Sequence, residues 1–531
     1  MHAESFRDGF WLPAGLRERV LRGVSWDTIW LKGGELVGEA TLGAVAVRSP
    51  RLEPERWREL RAGLGAARSV PTQDAASRWQ AALASARETL ISDAGAVMPT
   101  LAAATGYSIP MLAAALGRGD LVSPMRLAEA CRFRPNWSIA SRWEPMPGLP
   151  GRARFFPAGR LDRASARLRS GRPLARLAPL VEFALGYAAG NVPGTALLIA
   201  LLAGSANLAH QDDATAPAIL VRNSRHEPLF GPWVLSAVEA VDPELVARTA
   251  VMLWDYQDAA LQGELMRGAG LLIAATGDEA IAALEAQRAV HAPGCRFHRH
   301  GHKVSFAVIA QPTPEAARLA AFDSSLWDQN GCLSARLHFA EGDAAAYASE
   351  LTSQMRALAG ELPRGTTPRR FVHRAFDAYA ALGAVGRDVT VCSTYDDDFA
   401  VILDRRPWDR GILARAVNAC TGRTVIVRPV ASVLDVARTL GWLPAANLQS
   451  ASVAMSAAQA VEFADAAGAC GVTAVRSLGR AAFPQLAYSW DGLLPLDLGC
   501  LRPEGHFTTV EFDDPAAEMA LSLEQWGNHA H

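Results

Sequence analysis

The spacing of apolar residues divides this chain into two kinds of stretch. Up to about residue 165, apolar positions recur at helical intervals over Ala75 to Leu90 and Pro110 to Leu116, in segments rich in Ala, Arg and Leu. A short run from Glu35 to Val47 has the character of a strand pair. A mostly helical N-terminal region is predicted. From about residue 180 the pattern becomes short apolar runs separated by helical segments: Val181 to Tyr187, Ala218 to Val221, Ala250 to Trp254, Leu271 to Ala275 and Val304 to Ala310. Strands that alternate with helices need crossover connections, which produce a parallel sheet covered on both faces. The prediction is a doubly wound α/β arrangement of the nucleotide-binding type. Beyond about 310 a second α/β region follows, with helices at Ala316 to Ala321 and Ala344 to Ala359 and strands at Leu337 to Phe339 and Thr424 to Val427.

Composition narrows the class. The 531 residues are 50% hydrophobic, with a formal net charge of −2 and charges of both signs interleaved. Such a chain has sizeable cores and gives no reason to expect a nucleic-acid partner or a polybasic membrane surface. The N-terminus lacks a basic segment leading into an apolar one, so no export signal is read there. The most apolar stretch, Thr195 to Ala203, is well short of the roughly 20 residues that span a bilayer; it is expected to be a buried helix, and no membrane span is expected. Seven cysteines, an odd number without a CxxC pair, suggest neither a disulfide framework nor a zinc ribbon, and fit a reducing, cytoplasmic setting.

In doubly wound sheets ligands bind beyond the carboxyl ends of the strands. Three loops there carry useful chemistry: Gly190 to Gly194, Arg222 to Arg225, and Thr276 to Glu279. Glycine lets backbone approach a phosphate, and a following helix N-terminus favours the anion; turn glycines also simply serve turns. His298, His300 and His302 alternate and could share one strand face, but loop histidines are the preferred reading over a metal site. The acidic clusters Gln211 to Asp213 and Asp396 to Asp398 read as solvated loops.

Five segments taken in order, LGYAAGNVPGT (Leu185 to Thr195), VRNSRHEPLF (Val221 to Phe230), ATGDEAI (Ala275 to Ile281), HGHKVSFAVI (His300 to Ile309) and WDQNGCLSARLHFAE (Trp327 to Glu341), resemble the LuxC-type acyl-CoA reductases, distant members of the aldehyde dehydrogenase superfamily. ATGYSIPML (Ala104 to Leu112) upstream, and NLQSASVAM (Asn447 to Met455), GVTAVRSLGR (Gly471 to Arg480) and YSWDGLLPL (Tyr488 to Leu496) downstream, extend the likeness from about residue 70 onward. The resemblance implies an aldehyde dehydrogenase-like α/β fold with a Rossmann-type cofactor domain and an α/β catalytic domain. Its division is drawn as a helical region at 1–165, a cofactor domain at 166–310, a catalytic domain at 311–485, and a C-terminal segment at 486–531 that returns to the cofactor domain or serves an oligomer contact.

The resemblance also implies roles. Cys332, otherwise one small core thiol among seven, stands where the family's nucleophile takes the acyl group from a thioester. Asn191 matches the amide that stabilises the tetrahedral oxyanion; on local grounds alone it would be read as a cap of the helix near Thr195. Arg222, with Ser224 and Arg225, matches the cofactor ribose site, and an arginine there favours NADPH over NADH; His210 competes because the stretch from Asn207 to Ala218 is long. Thr276 and Gly277 match the loop at the pyrophosphate and nicotinamide ribose. The glutamate that activates water in hydrolytic relatives is replaced by Arg299 to Lys303, so no carboxylate base is expected, and His300 or His302 is a candidate proton donor.

The activity implied is NADPH-dependent reduction of an acyl-CoA or acyl carrier protein thioester, fatty or similar, to the aldehyde. An acyl-activating enzyme partner and a homo-oligomer are expected with it. The alternatives are a CoA-acylating aldehyde dehydrogenase working oxidatively, a cofactor-free cysteine acyltransferase or thioesterase, and a non-catalytic subunit.

Overall fold

The computed structural model describes residues 8–38, 41–117, 142–158, 176–210, 214–386, 388–483, 485–501 and 504–512. Cys131 and the cluster Gln211 to Asp213 lie outside them. In chain order the strands are β1 (Ser25–Lys32), β2 (Glu35–Val37), β3 (Val45–Arg51), β4 (Glu144–Pro145), β5 (Gly151–Pro157), β6 (Arg176–Leu177), β7 (Phe183–Ala188), β8 (Ala218–Arg222), β9 (Thr249–Met252) and β10 (Leu271–Ala275). They continue with β11 (Arg296–His300), β12 (Val304–Ile309), β13 (Ala335–Glu341), β14 (Val389–Val391), β15 (Ala400–Asp404), β16 (Thr424–Val430), β17 (Leu448–Ala454), β18 (Ala474–Ser477), β19 (Cys500–Leu501) and β20 (Gly505–Glu511).

β7 to β11 form an all-parallel sheet in the order β11-β10-β7-β8-β9. Its inner strands β10, β7 and β8 are almost wholly apolar because both faces are covered, while β11 at the edge is polar: in β7, Ala184 and Ala188 pack into one core while Phe183, Leu185 and Tyr187 pack into another. The helix Thr195–Gly204 is buried on nearly every side, as its unbroken apolar sequence requires. Winding reverses between β7 and β10, so the connections that leave their carboxyl ends part toward opposite faces and frame a crevice.

A second sheet has the order β14-β15-β16-β13-β12-β17-β18-β20-β5-β4. From β15 to β20 it is parallel; β14, β5 and β4 are antiparallel at its margins. β12 therefore belongs here, and the change of sheet falls at 301–303 rather than at the expected boundary of 310. Val304–Ile309 is buried along its whole length, so its period suits either sheet and only long-range pairing decides.

The N-terminal region holds long helices, Pro54–Ala66, Thr72–Thr105 and Ile109–Gly117, but also two contributions the sequence reading lacked. β2 and β3 do not pair with each other; both flank β1, whose alternation was missed. β5 joins the large sheet beside β20. The C-terminal segment is split between that sheet and the β19–β6 pair.

Candidate active site

The chain reaches Cys332 through an irregular turn. After the helix Pro314–Ser325, Trp327, Asp328 and Gln329 have φ of 58°, 47° and 62°, the left-handed region that side chains disfavour by roughly 1–2 kcal/mol each. Buried polar contacts hold them there. Asp328 accepts from Arg423 Nε at 2.8 Å and from the Gly365 N–H at 3.0 Å, with both charged side chains almost wholly excluded from water. Gln329 donates to the Ala335 carbonyl and accepts from the Thr424 N–H, each at 2.9 Å. Beyond the turn, Ser305 Oγ on β12 donates to the Cys332 carbonyl at 2.8 Å. Cys332 is thus tied to β12, β13 and β16.

It opens into a cavity of about 360 Å³ where the carboxyl ends of β7 and β10 face the amino ends of β12, β13 and β17. Among the described cysteines Cys332 alone is exposed. Its solvent lies inside the protein: the surrounding mass, and then the Asp491 charge, push the thiol up to about 11, while a side-chain hydrogen bond with Gln449 and the Arg336 cation act the other way. Asn191, Thr276, Gly277, His300 and His302 line the same cavity.

Asn191 does not cap the helix after it; the N-cap is Gly194 and receives no side-chain bond. Its Oδ1 accepts from Tyr107 OH at 2.8 Å and its Nδ2 donates to the Thr105 carbonyl at 3.2 Å. An amide nitrogen carries two hydrogens, so one donor remains. Gly34 packs so closely that an added Cβ would stand 3.0 Å from Asn191 Nδ2. The Tyr107 ring also meets Trp327 edge-on, 5.0 Å between centroids. Tyr107 sits in the ATGYSIPML motif, but local periodicity carried no sign that it would reach both Asn191 and the cysteine turn.

The two histidines part company. His302 lies past the end of β11 and is exposed. His300 is buried, stacks on Trp490 with centroids 3.4 Å apart, and has Nδ1 2.6 Å from Asp491 Oδ2. Asp491 Oδ1 accepts from Gln449 Nε2 at 2.8 Å. A carboxylate does reach the cavity from elsewhere in the chain: Asp491 lines it, supplied by the YSWDGLLPL motif from 191 residues downstream of His300, where no local spacing could reveal it. Arg336 of β13 was likewise missed; it is buried, lines the cavity, and its Nε has no hydrogen-bond partner. No cluster of three or more metal-ligating side chains occurs among the described residues.

The Arg222 loop stands one step away. Arg222 Nε donates to the Trp254 carbonyl at 3.0 Å and its guanidinium lies 5.2 Å from the Tyr256 ring centroid. Burial, and then neighbouring Arg225, bring it down to about 10. Ser224 is committed to structure: its Oγ donates to the Gly190 carbonyl at 2.5 Å and accepts from the His226 and Glu227 N–H groups. It joins the Arg222 loop to the Asn191 loop. Glu227 Oε1 accepts from the Leu229 and Phe230 N–H groups at 3.0 and 2.7 Å, at the start of helix Phe230–Val241.

A doubly wound sheet with a crevice at its switch point, faced by a second sheet bearing an accessible cysteine, is the architecture of an aldehyde dehydrogenase-like enzyme. Solved structures agree on the fold. A benzaldehyde dehydrogenase from Corynebacterium glutamicum superposes at a TM-score of 0.53 with 12% identity, covering 93% of this chain and 100% of that one. A succinate-semialdehyde dehydrogenase from Burkholderia pseudomallei gives 0.55 and 14%, over 93% and 99%. Lactaldehyde dehydrogenase from Escherichia coli gives 0.55 and 14%, over 92% and 97%. The chain belongs to the acyl-CoA reductase (LuxC) family, whose model matches residues 183–498, more than half of it. It is an aldehyde-related oxidoreductase. No curated protein sequence matches it.

Proposed function

We propose that this protein reduces an acyl thioester, presented by CoA or an acyl carrier protein, to the aldehyde through an acyl group carried on Cys332. The observation that carries this reading is the accessible thiol of Cys332 in a cavity shared with Asn191 and the Thr276–Gly277 loop. Cys332 Sγ attacks the thioester carbon. The spare Asn191 N–H and a backbone amide beside Cys332 receive the oxyanion, an interaction worth roughly 3–4 kcal/mol of barrier for one donor. The proton needed by the departing thiol comes from a histidine at the cavity wall.

The walls suit a dinucleotide. Cβ atoms added at Gly190 or Gly277 would meet nothing within 4 Å, so backbone can approach a ligand there, and Arg222 with Arg225 offers an anion two neighbouring guanidiniums, which favours the 2′-phosphate of NADPH over NADH. When bound, NADPH supplies hydride to the acyl carbon. Residues 166–310 then act as cofactor domain and 311–485 as catalytic domain, apart from β12. Leu197, Leu198 and Leu201 line the cavity and fit an aliphatic acyl chain. Cytoplasmic location, an acyl-activating partner and a homo-oligomer belong to the same reading; no helix among the described residues is long and apolar enough to cross a membrane.

The test is intact-protein mass spectrometry after exposure to a panel of acyl-CoAs and acyl carrier proteins. One acyl group is expected on wild type, none on Cys332→Ala, with loss of the adduct and appearance of aldehyde on adding NADPH. An adduct discharged as free acid, or aldehyde formed at the normal rate by Cys332→Ala, overturns the reading.

A further inference from the structure

We propose that His300 is the base for the Cys332 thiol, and that Asp491 and Gln449 are the residues that position it, so that the three form a proton relay in the wall of the cavity into which Cys332 opens. This rests on the reading of Cys332 as nucleophile and deepens it.

Five observations converge. Asp491 is acceptor-only when ionised, so the 2.6 Å contact requires His300 Nδ1 to carry the hydrogen. The tautomer is thereby set, and Nε2 is left with a lone pair. That Nε2 is buried without a partner, in the wall of the cavity into which Cys332 opens; a buried nitrogen left unpaired costs free energy unless a donor visits it. Asp491 is itself over-determined: its side chain is almost wholly excluded from water, it holds φ of 50°, and its second oxygen is taken by Gln449. A side chain in that backbone region persists where its surroundings insist on it. Gln449 in turn reaches Cys332, as does the Asp491 charge. The Trp490 face against His300 fixes the ring plane.

A thiol held well above its ordinary range does not ionise unaided near neutrality. The charged and titratable groups facing the relay are Lys303 and the His298 ring 4.2 Å from His300, with Cys332 in turn facing Asp491 and Arg336. Burial, the larger influence, lowers His300 despite Asp491, so the ring is neutral and able to accept. In the step, the Sγ–H bond breaks and its proton passes to Nε2 while the sulfur pair bonds to the thioester carbon and the carbonyl π pair moves to oxygen. On collapse the bond from carbon to the leaving sulfur breaks, and that sulfur takes the proton from Nε2. Asp491 stabilises the imidazolium between the two events. No external oxidant or reductant enters.

The experiment is alkylation of Cys332 by iodoacetamide, which needs neither thioester nor cofactor, so its outcome is separable from that of the acylation test. Rates are read by peptide mass mapping from about pH 6 to 10, across the range where thiols ionise. His300→Gln and Asp491→Asn are each expected to slow the reaction near neutrality roughly tenfold or more, the loss of a general base, Asp491→Asn in spite of removing a charge that itself holds the thiol up. Asp491→Glu is expected to recover part of the rate, and imidazole added to His300→Gly to restore it, which a purely structural histidine would not allow. Melting temperatures identify any variant that fails to fold; the imidazole arm then decides. Profiles that superimpose on wild type, or a His300→Gly protein indifferent to imidazole, overturn the relay.

Discussion

Tyr107 hands its hydroxyl hydrogen to Asn191 Oδ1 at 2.8 Å, across 84 residues of sequence. That bond, with the Thr105 carbonyl on the other side of the amide, leaves Asn191 one orientation. Tyr107→Phe is expected to reduce kcat for aldehyde formation about tenfold with KM nearly unchanged, because an amide free to turn serves the transition state less than the bound substrate. Steady-state kinetics check the split, and a melt is expected to show a loss of only about 1 kcal/mol, the usual worth of one hydrogen bond.

The Asp328–Arg423 pair holds the cysteine turn in its disfavoured backbone. Asp328→Ala leaves a guanidinium buried without its partner and is expected to cost about 3–5 kcal/mol in chemical denaturation. The double variant Asp328→Ala with Arg423→Met is expected to regain part of that, since the stranded charge is gone. Cys332 reactivity is expected to stay impaired in both, as the turn has lost its brace.

Arg222 is the residue through which cofactor choice is expected to be read. Arg222→Met should weaken NADPH about 10- to 100-fold, the effect of losing a charge-assisted bond of roughly 1.5–3 kcal/mol, and leave NADH within a factor of about two. Fluorescence titration of the two cofactors measures the difference. Equal losses would remove the 2′-phosphate from this residue.

Burial pushes Glu227 up to about 8 from an ordinary 4.5, against the backbone N–H groups it accepts from. The folded protein therefore holds this proton more tightly than the unfolded chain does. The contribution is fully present below the unfolded value and is lost as pH rises through the folded one, so stability falls across the window from about 4.5 to 8. Glu227→Gln keeps an acceptor for the Leu229 and Phe230 N–H groups and carries no charge. Melting temperatures of the two proteins are expected to converge near pH 5 and separate toward pH 9, with Glu227→Gln the more stable there.

Much of the fold was legible because its strands alternate with helices: the runs that became β7, β8, β9 and β10 and the buried helix after Gly194 all stand near where the apolar pattern put them. The carboxyl-end loops followed from that, and with them Asn191, Thr276 and Gly277. What local pattern does not encode is pairing. β12 sat in the wrong sheet because an all-apolar strand has no face to declare, and β1 was passed over because its exposed positions mask its alternation. Tyr107, Gln449 and Asp491 escaped for the same reason: each stands in a segment already singled out, yet its use depends on a partner more than 40 residues distant. Ser224 showed in the sequence no sign that its hydroxyl joins two loops.

The joining of His300 to Asp491 also orders events in time. A ribosome releases Cys332 about 160 residues before Asp491, roughly 8–32 s at ordinary elongation rates. Through that interval the nascent chain carries its thiol without the carboxylate that sets the histidine tautomer, and without β20 to complete the sheet around it. On the relay proposed above, the thiol gains its base only when Asp491 has arrived to set the His300 tautomer.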